Sequence, residues 1–555
     1  MNKKVCSFPI LFALLTLLIG TCAVVFPASA QAAPTSTGSI TVSGTVASSY
    51  DAYQIFSANV VDGDSDAKIA TDLAWASDAA RDAVLPVLHS AGMPNSQTTA
   101  QEAAEWLNTD SHLTSALSAQ LARSLQSSDS VSVALNAGRT AELPCGYWLI
   151  VADDEAISQN EAGTAPIMAL VGGAAVTVKP KAATPKVAKH VLEDSTAAWQ
   201  KAADATVADD LYWRLATTVP AGLSAYDTYA VQFVDTMSAG LDPSKVAASM
   251  HVYVAAGTDG GFDAVSADKD GHAGTEPAKG WTDITAQCAT KVAADGTFTV
   301  RTGDLIAALG GADTFTAGAR VVAVYNAPLN SACNHGIAKG NPNEVYLRYP
   351  RSPLADQSGD AGFTRTPSDD ACAYTWDLAL TKRGSDGDKP LAGAVLSIAD
   401  DRGRTLAADG TWDAEGKATV TTGEDGRVTV SGVDSGKLEV RELKAPKGYT
   451  AFEGARCVTV KAEGLDVDQV AAAKPKLTIT AESPLRADSA DGSTGSLEAS
   501  LINTPTGTPP SITTGGFMPS TGDMAMYAAA AAAVAGAALI VVALLVKRGG
   551  GSHKE

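Results

Sequence analysis

The sequence predicts a mainly β chain of tandem β-sandwich domains followed by one C-terminal transmembrane helix, and three observations carry that prediction. Most of the 555 residues fall into short alternating runs separated by Gly, Asp and Ser turns, the pattern of half-buried strands. Met524 to Val546 is an unbroken apolar run with Lys547-Arg548 behind it, long enough to cross a bilayer as one helix with its basic end on the cytoplasmic side. Lys3 and Lys4 precede an apolar stretch from Phe8 to Phe26, and Ala28-Ser29-Ala30 is a small-residue cleavage site. Residues 1–30 therefore read as a secretory signal peptide and are set apart from the fold.

Between the signal peptide and the C-terminal span about 490 residues remain, too many for one core, so roughly three domains are expected. A formal net charge of -20 argues against nucleic-acid binding, which needs a basic footprint, and suits a soluble extracellular face. Five cysteines lie beyond the signal peptide. In an oxidising compartment Cys288 with Cys333, and Cys372 with Cys457, are candidate bridges, which leaves Cys145 over; the spacing does not fix the connectivity. Seven scattered histidines show no metal-ligand spacing. Asp259 to Gly271 lacks the order and closing Glu of a calcium loop. No P-loop, GxSxG or dinucleotide fingerprint is present. No cofactor, no metal and no enzymatic activity are expected.

Taken in order, Ile40, Val42 and Val46 alternate as a strand, and Gly146 to Val151 is a buried one. Between them a helical stretch is expected from about Ala67 to Leu125, with Thr98 and Gln101 as a capping box before Ala103, Trp106 and Leu107. The first domain spans 34–182 and ends where Lys and Pro replace the apolar pattern. A second covers 183–352, a polar linker 353–371, and a third 372–505, in which Asp425-Gly426 reads as a hairpin turn. A Thr/Pro/Gly-rich stalk, 506–517, leads to Met518-Pro519-Ser520-Thr521-Gly522, the span 524–546 and a short tail, 547–555.

The sharpest internal signal is a polar residue where the strand period demands an apolar one. In the third domain Leu378, Leu380 and Lys382 share a face, as do Leu438, Val440 and Glu442, and Leu497, Ala499, Leu501 and Asn503. Burying any one of these polar groups alone would cost several kcal/mol. Together, burial favours a neutral amine beside a protonated carboxyl. The amine can then attack the Asn carboxamide while the acid polarises the carbonyl, giving a Lys–Asn isopeptide bond and ammonia. A buried ion pair with a hydrogen-bonded Asn fits the same periodicity. The second domain repeats the pattern: Val187, Lys189 and Val191; Tyr229, Val231, Phe233 and Asp235; Asn343, Val345, Leu347 and Tyr349.

Several motifs resemble one family. Met518 to Gly522 resembles the Leu-Pro-x-Thr-Gly signal of Gram-positive sortase substrates, with Met for Leu. A plain membrane anchor is the alternative. Leu438 to Tyr449 (Leu-Glu-Val-Arg-Glu-Leu-Lys-Ala-Pro-Lys-Gly-Tyr), Lys389 to Ala394 and Ile502 to Pro505 are similar to the E-box and flanking motifs of CnaB-type Ig-like pilin domains, although Leu443 stands where that family usually has Thr. This resemblance implies Lys382 and Asn503 as a bonded pair with Glu442 as catalytic acid. Ala52 to Phe56 and Gly146 to Leu149 resemble the N-terminal domain of backbone pilins. Val324 to Asn330 and Gly340 to Asn343 resemble their middle domain, which implies Lys189 bonded to Asn343 with Asp235 as acid. Lys186 and Asn341 are rival choices, set aside as out of phase with their apolar neighbours. Val176-Thr177-Val178-Lys179-Pro180-Lys181 occupies the place of the pilin motif, with Lys for its Tyr and Gly172 near the place of an upstream Trp. This makes Lys181 the candidate intersubunit acceptor, against an ordinary linker lysine.

The resemblance implies a fimbrial shaft subunit, exported and wall-anchored on a Gram-positive surface, supporting adhesion. Its implied partners are a sortase, further copies of itself, minor pilins, peptidoglycan and a host surface ligand, with membrane contact only before sorting. A monomeric wall-anchored adhesin on the same stalk, in which Lys181 is inert, is the alternative. A surface hydrolase on an Ig-like stalk is a third reading, without a catalytic constellation to support it.

Overall fold

Alternation along the strands builds three successive β-sandwiches in the computed structural model, which describes residues 36–64, 67–109, 111–180, 184–219, 223–268, 270–311 and 318–507. The signal peptide, Lys181, the stalk beyond residue 507, the sorting pentapeptide, the span 524–546 and the tail lie outside the described residues. Among the described residues no helix is long and apolar enough to cross a membrane.

In the first sandwich the strand Ser49–Asp62 pairs antiparallel with Lys68–Trp75, Gly146–Ala152 and Ser132–Asn136. Gly146 has φ +143, and a Cβ there would lie 2.1 Å from the Phe56 carbonyl oxygen, so only glycine lets these strands approach. A smaller sheet sets Thr37–Val42 between Thr140–Pro144 and the parallel Val176–Val178. Ile40, Tyr50, Leu143 and Trp148 fill the space between the sheets.

Three helices, Asp78–Ser90, Ala100–Asn108 and Ser115–Gln126, pack Val84, Leu88, Leu121 and Leu125 on Ile55, Phe56 and Leu149. The helical stretch thus starts later than residue 67. Lys68–Trp75 is a strand because the backbone of Ser49–Asp62 offers it a ladder, which outweighs its local preference. The capping box also lies one residue on: Thr99 Oγ1 accepts from the Glu102 amide, and Glu102 Oε2 accepts from the Thr99 amide.

In the second sandwich one sheet runs in spatial order Ala198–Gln200, Lys186–Glu193, Tyr212–Val219, Ala319–Asn326, His251–Ala256 and Thr282–Asp283. The other runs Ala202–Asp204, Asp369–Tyr374, Asn341–Pro350, Gln232–Met237, Thr297–Arg301 and Ala289–Val292. Trp213, Phe233, Tyr325 and Leu347 meet in the core between them. The expected linker 353–371 is partly structural: Phe363–Arg365 and Asp369–Tyr374 both pair with Asn341–Pro350. Cys372 therefore belongs to this sheet rather than opening the next domain.

In the third sandwich Trp376–Gly384 lies between Arg427–Val433 and, in parallel, the final strand Ser496–Pro505. The facing sheet places Gly436–Lys444 between Val395–Ala399 and Ala455–Glu463. Asp425-Gly426 does turn the chain, but it joins two sheets: Val420–Thr421 pairs with Val395–Ala399, and Arg427–Val433 with Trp376–Gly384.

Candidate functional site

The polar residues at apolar phase positions come together in two buried sites, one in each of the last two sandwiches. In the third, Lys382 and Asn503 sit on adjacent parallel strands, with Lys382 opposite Leu501 and Gly384 opposite Asn503. Glu442 reaches them from the facing sheet. Lys382 and Asn503 are 0% and 2% exposed, and the Glu442 side chain is fully buried. Lys382 Nζ lies 3.5 Å from Glu442 Oε1 and donates to the Leu501 carbonyl at 3.3 Å. Asn503 Nδ2 donates to both Glu442 oxygens, at 2.8 and 2.9 Å, and the Phe452 amide donates to Oε2 at 3.1 Å. Burial lowers Lys382 to about 8, against the pull of Glu442, so the amine is far nearer to deprotonation than an exposed lysine. Asn503 Oδ1 has no hydrogen-bond partner among the described residues. Turning the carboxamide over would put Oδ1 on Glu442, the orientation a protonated acid prefers and carbonyl activation needs.

The second sandwich uses a different geometry. Lys189 lies on the strand Lys186–Glu193 in one sheet, whereas Asp235 and Asn343 occupy neighbouring strands of the other, in which Met237 opposes Asn343. Lys189 thus spans the sandwich. All three residues are completely buried. Lys189 Nζ contacts Asp235 Oδ2 and lies 5.5 Å from the ring centroids of Trp213 and Tyr325.

Burial lowers Lys189 to about 8 and raises Asp235 to about 6, from ordinary values of 10.5 and 3.8. Both shifts narrow the gap between the ammonium–carboxylate pair and the amine–carboxylic acid pair, so burial moves the two groups toward the neutral forms the reaction needs. Asp235 Oδ1 and Asn343 Oδ1 are both buried acceptors without a donor among the described residues; protonating Asp235 turns one of them into a donor.

The rival residues separate clearly. Lys186 is exposed. Asn341, however, shares the inward face with Asn343 and is equally buried, so phase does not exclude it. Its hydrogen bonds do: Nδ2 donates to the Asn334 and Ala373 carbonyls, and Oδ1 accepts from the Asn334 amide. That carboxamide is already committed to holding a loop. Asp369, expected in a linker, instead accepts from the Lys189 backbone amide at 2.6 Å and contacts Lys201 Nζ, fixing the strand that carries Lys189.

One residue of the second site escaped the sequence reading. The Tyr325 hydroxyl accepts from Lys189 Nζ at 2.9 Å and from Asn343 Nδ2 at 2.8 Å, and donates to Asp235 Oδ2 at 3.2 Å. An aromatic residue at an inward position reads as core, so only its place inside the Val324 to Asn330 motif could have drawn attention to it.

The disulfide pairings are not made. Cys145, Cys288, Cys333, Cys372 and Cys457 are all free thiols. Cys457 lies on Ala455–Glu463 of the third sandwich while Cys372 lies in a sheet of the second. Cys288 Sγ donates to the Ile284 carbonyl, and Cys333 Sγ faces His335 Nε2 at 3.6 Å. Among the described residues no group of His, Cys, Asp or Glu is arranged to hold a metal. Lys179 is exposed at the end of the strand Val176–Val178.

Residues 377–474 match the SpaA prealbumin-like fold domain family. The chain is similar to the trypsin-resistant surface T6 protein of Streptococcus pyogenes serotype M6, with 31% identity over 134 residues. That match spans 23% of this chain and 23% of the T6 protein, so the chain covers about a quarter of its curated relative. Among solved structures it is similar to the T6 backbone pilin of serotype M6 S. pyogenes, with 16% identity, 85% of this chain and 98% of that one covered, and a TM-score of 0.45. The full-length major pilin SpaD of Corynebacterium diphtheriae gives 15% identity, 85% and 98% coverage and a TM-score of 0.41.

Proposed function

We propose that this chain is the structural shaft subunit of a covalently polymerised, wall-anchored pilus, held together internally by Lys189–Asn343 and Lys382–Asn503 isopeptide bonds. The reading is carried by the two buried sets of lysine, acid and asparagine, each of which unites an amine, a carboxyl and a carboxamide inside a sandwich core. An ion pair alone would explain lysine and acid; it does not call for an asparagine in both sites whose carbonyl oxygen has no partner among the described residues. The family match over 377–474 and the similarity to a T6 surface protein support the same reading. In the third sandwich the bond would tie the first strand to the last, so tension along the chain would bypass the ladder between them.

Polymerisation would join Thr521 of one copy to Lys181 of the next, through a sortase that cleaves after Thr521. Peptidoglycan would receive the last subunit, and minor pilins and host surfaces are the further partners of such a fibre.

The intact mass of the recombinant ectodomain tests the internal bonds: it should fall one ammonia short of the calculated value for each bond. Asp235→Ala and Glu442→Ala should each restore one ammonia, and a full calculated mass in folded wild-type protein would refute the reading. A high-mass ladder that survives boiling in SDS tests assembly. Lys181→Arg should abolish it and Lys179→Arg should not; absence of any ladder in the wild type would leave a monomeric adhesin.

A further inference from the structure

The two sites differ in how the acid meets the nitrogen that must leave. In the third sandwich both Glu442 oxygens lie against the Asn503 carboxamide, so a single carboxyl group can serve its carbonyl and its leaving nitrogen in turn. In the second sandwich the acid is an aspartate, one methylene shorter, and Asn343 Nδ2 donates instead to the Tyr325 hydroxyl. That hydroxyl also accepts from Lys189 Nζ and donates to Asp235, so it touches every group in the reaction. Packing does not require it: Tyr325 is completely buried with its ring edge-on to Phe298, centroids 4.8 Å apart, and phenylalanine would fill the same volume.

We propose that Tyr325 is a catalytic proton relay of the second sandwich, carrying a proton from the attacking amine to the nitrogen that departs from Asn343. The proposal rests on the isopeptide reading above. The neutral Lys189 amine adds to Asn343 Cγ, forming the Nζ–Cγ bond and sending the carbonyl electron pair to Oδ1, which protonated Asp235 stabilises. Nζ is now cationic, and Nδ2, freed from conjugation, becomes a base. Tyr325 gives its hydroxyl proton to Nδ2 and takes one from Nζ, which already donates to it. The Cγ–Nδ2 bond then breaks and its electron pair leaves with ammonia. The amide, Tyr325 and Asp235 end with the protons they require, one proton has moved from Nζ to Nδ2, and no oxidant or cofactor takes part. Burial holds the Tyr325 hydroxyl well above its ordinary range, so the group passes protons without resting as a phenolate.

The test is Tyr325→Phe in the full ectodomain, followed by intact mass and by recovery of the two cross-linked peptides over time after refolding. The Lys189–Asn343 peptide should form about a hundredfold more slowly, the low end for general acid–base catalysis, while the Lys382–Asn503 peptide forms at the wild-type rate and serves as an internal control. Formation of both at wild-type rates would overturn the relay and leave the isopeptide reading intact. A wild-type protein without the Lys189–Asn343 peptide would overturn both. If the phenylalanine variant fails to fold, fluorotyrosine at position 325 keeps the hydroxyl and changes its acidity. A shifted rate of bond formation then supports the relay, and an unchanged rate overturns it.

Discussion

At the scale of single residues, the second site is a contest between desolvation and pairing. Lys189 and Asp235 are both completely buried, so each is tolerable because of the other. Asp235→Ala leaves Lys189 buried, with Tyr325 as the hydrogen-bond partner of Nζ that remains among the described residues. Adding Lys189→Met removes the buried amine as well. Both variants lack the covalent bond and the acid, so their difference isolates the cost of an unpaired buried lysine, which must stay charged or give up a proton that the unfolded chain holds at neutral pH. In urea unfolding at neutral pH, Asp235→Ala should be less stable than the double variant by about 3–5 kcal/mol; equal stability would mean that the core carries an unpaired lysine at no cost. Strand phase made this lysine, acid and asparagine legible in the sequence. It could not separate Asn343 from Asn341, which share one face and differ only in hydrogen bonds made by a loop. It could not single out Tyr325 either, because a core tyrosine and a reactive one have the same period.

Among the elements, the turn at Asp425-Gly426 does more than reverse the chain. Gly426 has φ +71, and a Cβ there would meet Leu391 N and Lys382 O at 2.8 Å. The Gly426 carbonyl also accepts from the Lys382 amide, so this turn holds the strand that presents the reactive lysine. Gly426→Ala should lower the stability of the third sandwich by at least about 1–2 kcal/mol, the cost of a left-handed conformation for a residue with a Cβ, read as a lower thermal midpoint. Bond formation at Lys382 should slow with it. At the first sandwich, Thr99→Ala removes a cap shared with Glu102 and should cost about 1 kcal/mol. Local sequence does not separate Thr98 from Thr99, because the two are chemically equivalent and both amides donate to Glu102 Oε2; the Thr99 hydroxyl, which accepts from the Glu102 amide, fixes the cap.

Across the whole molecule, the second and third sandwiches meet over a cluster of carboxyl groups: Glu193, Asp194, Asp204 and Asp434. Asp204 accepts from Trp376 Nε1 at 2.7 Å and from Ser435 N and Oγ at 3.0 and 2.5 Å, and Glu193 accepts from the Asp204 amide. Arg402 faces Asp194 at 3.7 Å, while Arg402 and Arg404 both hold Asp209 beside it. Burial, with Asp204 adding to it, pushes Glu193 up to about 8, and burial lifts Asp194 and Asp434 as well. Glutamate in the unfolded chain titrates near 4.5, so between that pH and about 8 the folded state binds the additional proton. Stability from this joint is therefore complete below about pH 4.5 and is lost as pH rises through about 8. Thermal midpoints measured from about pH 5 to about pH 9 should fall, and Glu193→Gln should flatten that fall. A flat wild-type profile would show that the cluster does not govern the joint.

Local sequence determined what each strand could bury: the periods of Leu378 to Lys382, Leu438 to Glu442 and Leu497 to Asn503 mark the polar residues directly, because side-chain direction along a strand follows from the backbone alone. Turn residues and composition likewise made the succession of β-domains legible. Tertiary structure decided which faces meet. It drew 363–374 from an expected linker into a sheet, turned Lys68–Trp75 into a strand, and kept all five described cysteines apart as thiols. It also set the two lysines differently, Lys382 beside the parallel strand of its asparagine and Lys189 across the sandwich from its own. Those outcomes depend on ladder partners and distances between residues far apart in the chain, which no local pattern encodes.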